Sequence, residues 1–190
     1  NFTAEDGFAG GMVWTIYQDS DGNMWLGTGW GSTGVSCYNG EEFINFTMDD
    51  GLIGNRVIAI HQAPDGMMWF SSTDGVSYFD GKRWGAYTTT HGLPEGQVPS
   101  IAVAPSAEVW AATMWVGVSR FDGECFTTYT TADGLAHNSV PTICEDQKGQ
   151  LWFGTYGGAS CFDGERFTTY TTEDGLAHDG TFAICEDQKG

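Results

Sequence analysis

The stretch Asp133-Gly134-Leu135, the apolar run Val140–Glu145, Asp146-Gln147-Lys148-Gly149, Leu151-Trp152-Phe153-Gly154-Thr155 and Ala159-Ser160-Cys161-Phe162-Asp163-Gly164 is one copy of a phrase that recurs along the whole chain. Its first glycine recurs at Gly7, Gly51, Gly92, Gly134 and Gly175, in steps of 44, 41, 42 and 41 residues. Its tryptophan recurs at Trp25, Trp69, Trp110 and Trp152, in steps of 44, 41 and 42. Within one copy the apolar runs are short and each ends in turn chemistry. Val140–Glu145 reads as a first strand, Leu151–Thr155 as a second, Ala159–Phe162 as a third and Phe167–Thr171 as a fourth. The Asp-Gly pairs between them supply the positive φ that hairpin turns demand. Four short strands at a period near 42 predict an all-β fold, a β-propeller of four-stranded blades.

The arithmetic gives four complete blades plus a partial fifth, over about 1–44, 45–85, 86–127, 128–168 and 169–190. Asn1-Phe2-Thr3 aligns with Asn45-Phe46-Thr47, a fourth-strand position, and the chain stops at Gly190, in phase with Gly149. An unfinished blade leaves strand edges and apolar faces uncovered. The expected remedy is a homo-oligomer or a partner chain that completes the propeller. Closure by four blades alone and membership of a larger propeller are the other readings.

Composition narrows the partners. Twenty-five acidic against seven basic residues give a net charge of −18. Such a surface repels phosphate backbones and anionic membranes, so nucleic acid is not expected as a partner. No apolar run is long enough to span a bilayer, so no membrane insertion is expected. Four of the five cysteines share repeat phases, Cys37 with Cys161 and Cys144 with Cys185, and the five form no Cys-x-x-Cys pair. They read as repeat drift rather than as a disulfide framework or a zinc site, and no cofactor or metal is expected.

The in-phase tryptophans are structural, because a ligand site has no need of the same ring in every blade. Function is expected where the copies diverge, on the loops into each first strand and between second and third strands. There Trp30, Trp115 and Tyr156 lie outside the strand pattern, and loop aromatics suit stacking on sugar faces or other flat apolar ligands. Arg56, one of the seven basic residues, offers a fork for a carboxylate or sulfate. His137, Asn138 and His178 occupy the corresponding loops, and the two histidines share one repeat phase. These seven residues form the expected ligand-binding set. No catalytic residue is assigned, since the chain has no nucleophile elbow, phosphate-cradling loop or separate carboxylate pair. Asp19-x-Asp21-Gly22-Asn23 has the oxygen-rich look of a calcium loop but lacks the distal glutamate.

The strings Val13–Thr28 and Val140–Thr155 resemble the two-component regulator propeller repeat, in which Asp-x-x-Gly-x-Leu-Trp-x-Gly-Thr follows an apolar strand. The resemblance spans essentially the whole chain. Phe70-Ser71-Ser72 and Ala111-Ala112-Thr113 depart from it by losing the glycine before the last residue. It implies a propeller sensor domain of the kind found in the extracytoplasmic part of bacterial hybrid histidine kinases, where such domains bind carbohydrate-derived signals. A periplasmic or extracellular place is implied with it. Streptogramin lyases are propellers of similar repeats with catalytic histidine and glutamate on the loop face, a set that Glu95, His137 and His178 imitate loosely. The expected function is therefore non-enzymatic sensing or interaction, with a small molecule or carbohydrate on the loop face. The alternatives are a self-assembling scaffold without a small ligand and, less favoured, a lyase-like enzyme.

Overall fold

The computed structural model describes residues 2–29, 31, 33–104 and 106–187. They form four antiparallel sheets of four strands, each sheet a simple meander. The chain divides into two compact units, residues 1–88 and 89–190, with two sheets in each.

In the first unit one sheet comprises β1 (Val13–Gln18), β2 (Met24–Thr28), β3 (Val35–Tyr38) and β4 (Phe43–Phe46). The other comprises β5 (Val57–Gln62), β6 (Met68–Ser72), β7 (Val76–Phe79) and β8 (Trp84–Tyr87). In the second unit β9 (Ser100–Val103), β10 (Val109–Ala112), β11 (Val118–Phe121) and β12 (Phe126–Tyr129) form one sheet. The last comprises β13 (Thr142–Glu145), β14 (Leu151–Thr155), β15 (Gly158–Phe162) and β16 (Phe167–Tyr170). These are the four blades that the repeat predicts.

The differences from the sequence reading are local. β13 starts at Thr142 rather than Val140 because Pro141 brings no N–H to the ladder. The Thr-x-x-Asp-Gly phrase at the start of a repeat folds as a 3-10 turn at Ala4–Asp6, Thr131–Asp133 and Thr172–Asp174. In each, the threonine hydroxyl and the aspartate carboxylate cap one another's backbone, and the following glycine closes the turn at a φ of 91 to 107°. The partial fifth repeat forms no strand over residues 175–187. It follows the last sheet as a first strand would: Thr181 N–H donates to the Thr155 carbonyl as Val140 N–H donates to that of Thr113. Glu186 accepts from Gln147 N–H as Gln62 accepts from Ser20 N–H.

Packing within each unit runs through aromatic wedges. Trp25 on β2 lies 5.8 Å from Phe46 of its own sheet and 5.4 Å from Phe70 of the next. Trp110 on β10 lies 5.5 Å from Phe153 and 5.1 Å from Phe162 of the sheet that follows it. Trp110, Phe70 and Phe153 are at most 1% exposed. Burial of such rings contributes roughly 1.5–3 kcal/mol each. The glycine of the repeat keeps neighbouring blades close. A Cβ on Gly27 would stand 2.8 Å from Val57 on β5, and one on Gly154 would stand 2.7 Å from the Thr181 carbonyl.

The turn aspartate of the repeat anchors the tryptophan. Asp19 accepts the Trp25 indole N–H at 2.8 Å, and Asp146 accepts that of Trp152 at 3.0 Å. Desolvation pushes the Asp19 carboxyl up, but the bonds from Trp25 and Asn23 outweigh it and hold the group below its ordinary value of 3.8. The third repeat replaces the turn glycine with Ser106-Ala107, and Ala107 takes a positive φ of 67° where Gly22, Gly66 and Gly149 take 89, 90 and 77°. A left-handed alanine is strained by about 1–2 kcal/mol, part of which glycine's greater unfolded-state freedom offsets. Ala107→Gly is therefore expected to stabilise the protein by about 0.5–1 kcal/mol, read as a higher denaturant midpoint at unchanged slope.

His61 on β5 packs against Tyr17 on β1, with ring centroids 5.6 Å apart. Burial pushes its imidazole below the ordinary 6.5, and the Gln62 carbonyl opposes this only in part. The folded chain then holds fewer protons here than the unfolded chain. The contribution is complete above pH 6.5 and is lost as the pH falls toward the lowered value. Urea midpoints at about pH 7.5 and about pH 5.5 should fall with acidification in the parent and fall less in His61→Tyr, which copies the first repeat.

Candidate functional site

In the first unit the loop end is built on a β-bulge. The β1–β2 register runs Val13↔Thr28 and then Thr15↔Gly27, so Trp14 is the extra residue and its side chain is re-aimed. The Arg56 guanidinium lies over the Trp14 ring, 4.4 Å from its centroid. Gly29 lies against the same ring, and a Cβ there would come within 2.2 Å of it. The arginine expected to offer an anion fork is thus held on an indole face, an arrangement worth about 0.5–2 kcal/mol. Backbone bonds brace the surrounding loops: Gly29 N–H donates to the Met12 carbonyl, Gly34 N–H to that of Asn55, and the Thr33 hydroxyl to that of Gly10. Trp30, expected to stack on a ligand, lies outside the described residues.

In the second unit the loops gather a different set. Tyr156, on the loop between β14 and β15, is flanked by His137 at 6.1 Å in a stacked arrangement and by Phe182 at 5.2 Å edge-on. Tyr156 is 40% exposed, Phe182 63% and Trp115 69%. Ser139 ties the set together: Tyr156 N–H donates to its carbonyl, and its hydroxyl donates to the Met114 carbonyl next to Trp115. His137 Nδ1 accepts the Ser139 N–H at 2.9 Å, which fixes the ring and leaves Nε2 as its other polar atom. His178 repeats the motif, its Nδ1 accepting from Gly180 N–H at 2.8 Å.

Asn138 has a repeat-wide backbone task. Its side-chain oxygen accepts the Thr131 N–H at 2.9 Å, as Asn55 accepts from Met48 and Asp179 from Thr172. Likewise the oxygens of the calcium-like string serve the turn itself: Asp19 accepts from Asp21 and Asn23 N–H, the Asn23 amide and Trp25.

Two aromatics of these clusters, Trp14 and Phe182, escaped the sequence reading. Both occupy one repeat phase, that of Ile58, Pro99 and Pro141, which is the second strand residue in β1 and β5. An aromatic in that phase, where the other copies carry isoleucine or proline, was the available signal.

The sheets and their repeat define the class as a β-propeller-blade protein. The family model of the two component regulator propeller matches residues 7–30, 51–74 and 134–157. Among solved structures, it is similar to the extracellular domain of a protein described as a hybrid two component system from B. thetaiotaomicron. The TM-score is 0.75 at 24% identity, over 87% of this chain and 23% of that one. The extracellular domain of a one component system from the same organism gives a TM-score of 0.73 at 17% identity, over 93% and 25%. Virginiamycin B lyase from Staphylococcus aureus gives 0.67 at 16% identity, over 84% and 55%. The chain therefore spans about a quarter of the length of the two sensor domains and about half that of the lyase. These identities show the shared fold. No curated protein matches the sequence. Among the described residues no helix is long and apolar enough to cross a membrane.

Gly29→Ala tests the first cluster. The added methyl must displace the Trp14 ring from under Arg56, so the variant should lose about 1–3 kcal/mol of stability. Its tryptophan fluorescence should change, whereas Gly40→Ala, whose Cβ meets nothing within 4 Å, should leave the fluorescence as it is.

Proposed function

We propose that this chain is a non-enzymatic sensor-type propeller domain that binds a small molecule of the carbohydrate class at the loop end of its sheets. The observation that carries the reading is the Tyr156 ring, held between His137 and Phe182 yet 40% exposed. An aromatic face that is fixed but open stacks on the apolar face of a sugar ring with little further loss of rotamer freedom. Trp115 follows Met114, whose carbonyl accepts from the same Ser139, and provides a second exposed ring. The family's place in two component regulators and the extracellular origin of the two sensor domains support a periplasmic or extracellular setting. His137 then serves as a stacking and hydrogen-bonding side chain rather than as an acid–base group.

Calorimetry against a panel of neutral and acidic oligosaccharides tests this. At least one should bind, Tyr156→Ala and Trp115→Ala should each weaken that binding by about tenfold, and Tyr156→Phe should retain it. No binding across the panel, or affinity unchanged in both alanine variants, would remove the reading.

A further inference from the structure

The grooves between neighbouring blades of the two units are built from the same repeat positions, and one of them lacks its carboxylate. In the first unit the groove is lined by Asp19, Asn23 and Trp25, with Met68 and Phe79 opposite. In the second unit the corresponding positions are Ala104, Glu108 and Trp110, with Leu151 and Phe162 opposite, around a cavity of about 280 Å³. Asp19 and Asp146 each receive the indole N–H of their own blade's tryptophan. Ala104 cannot, and the Trp110 indole nitrogen is buried without a hydrogen-bond partner in a side chain 1% exposed. A buried unmatched donor is destabilising, so the site favours whatever brings an acceptor.

A second exchange accompanies the first. Trp110 pairs directly across the ladder with Arg120, where Trp25 pairs with Cys37 and Trp152 with Cys161. Both of those thiols feel the neighbouring aspartate, Asp19 or Asp146, which adds to the desolvation that raises them. The third blade has therefore lost a carboxylate and gained a guanidinium in one place. Arg120 ion-pairs with Glu108 through one terminal nitrogen and reaches the Tyr129 hydroxyl at 3.5 Å with the other. Its Nε is buried without a partner, like the Trp110 nitrogen. The second blade also carries alanine, Ala63, but there Tyr78 fills the arginine's place and packs against Trp69 in a tilted arrangement at 5.5 Å.

We infer that the groove beside Ala104 is a binding site for a small carboxylate, which takes the Trp110 indole N–H as Asp19 and Asp146 do in their own blades. Glu108 is paired with Arg120, and Asp163, the second carboxylate lining the groove, lies at the far side with Phe162 and is paired with Arg166, while the position that faces the indole in the first and fourth blades is Ala104. The cavity admits an acetate-sized group with its methyl toward Leu151 and Phe162. The site is separate from the loop-end aromatics and does not rest on the reading proposed for them.

Proton–nitrogen correlation spectra of the eight indoles, titrated with sodium acetate at neutral pH and constant ionic strength, test the inference. Trp110→Phe identifies the resonance by removing it. That resonance should move saturably with acetate and stay still when chloride replaces it. Ala104→Asp, which supplies the carboxylate covalently, should shift it in advance and abolish the acetate response. Arg120→Cys, the residue of the first and fourth blades, should weaken the response. A resonance that ignores acetate, that moves equally with chloride as an adventitious ion only, or that still responds in Ala104→Asp would overturn the proposal. Should Ala104→Asp not fold, an acetate affinity unchanged in Arg120→Cys would overturn it as well.

Discussion

Packing of aromatic side chains from one sheet against the next is the interaction on which the rest of each unit depends. A four-stranded meander of four- to six-residue strands has two faces, and its apolar side chains need a second layer to be buried. Trp25 spans Phe46 and Phe70, and Trp110 spans Tyr129 and Phe162. In each case one indole belongs to the cores of two sheets at once. A ring in that position cannot be trimmed without leaving a void on both sides, and core losses of this kind run to about 3–5 kcal/mol. The glycines at Gly27 and Gly154, on the tryptophan-bearing strands β2 and β14, serve the same end, since they let the following segment approach within van der Waals distance.

That division of labour explains where chemistry has room to vary. The positions that wedge sheets together repeat, and so do the ties that hold the lead-in loops. Ile53 N–H donates to the Ser77 hydroxyl and Ala136 N–H to that of Ser160, in matching places of two blades. Between these fixed points the loops differ from copy to copy. One unit presents an arginine on a bulged tryptophan, and the other a tyrosine between a histidine and a phenylalanine. A frame whose stability lies in its wedges tolerates such differences, because loop residues contribute little to the buried core.

Strand order, turns and the buried tryptophans were legible in the sequence because each is set by local chemistry and repeated. Asp163-Gly164 predicts a hairpin wherever it occurs, and the fourth sheet has its β15–β16 turn there. Ends and small departures were less legible. Pro141 shortens a strand that composition alone extends to Val140, and the Asp-Gly-Leu phrase that reads as a plain turn is a capped 3-10 turn. Of the expected site residues, Tyr156 and His137 are brought together and Arg56 is given an aromatic seat that no spacing announced. Asn138 differs: its amide holds the turn at Thr131, a duty visible only once Asn55 and Asp179 are seen making the same bond.

By itself the sequence determined the blade, since a period near 42 with a glycine at most turns admits few other folds. The tertiary structure alone decided partnerships between residues that belong to different strands. It placed Phe182, from the unfinished fifth copy, on Tyr156, and it set Trp110 opposite Arg120 with no carboxylate at Ala104. The reason is physical: a turn or a strand is fixed by backbone preferences within a few residues, whereas a donor's partner depends on which side chains the packed sheets bring within about 3 Å of it.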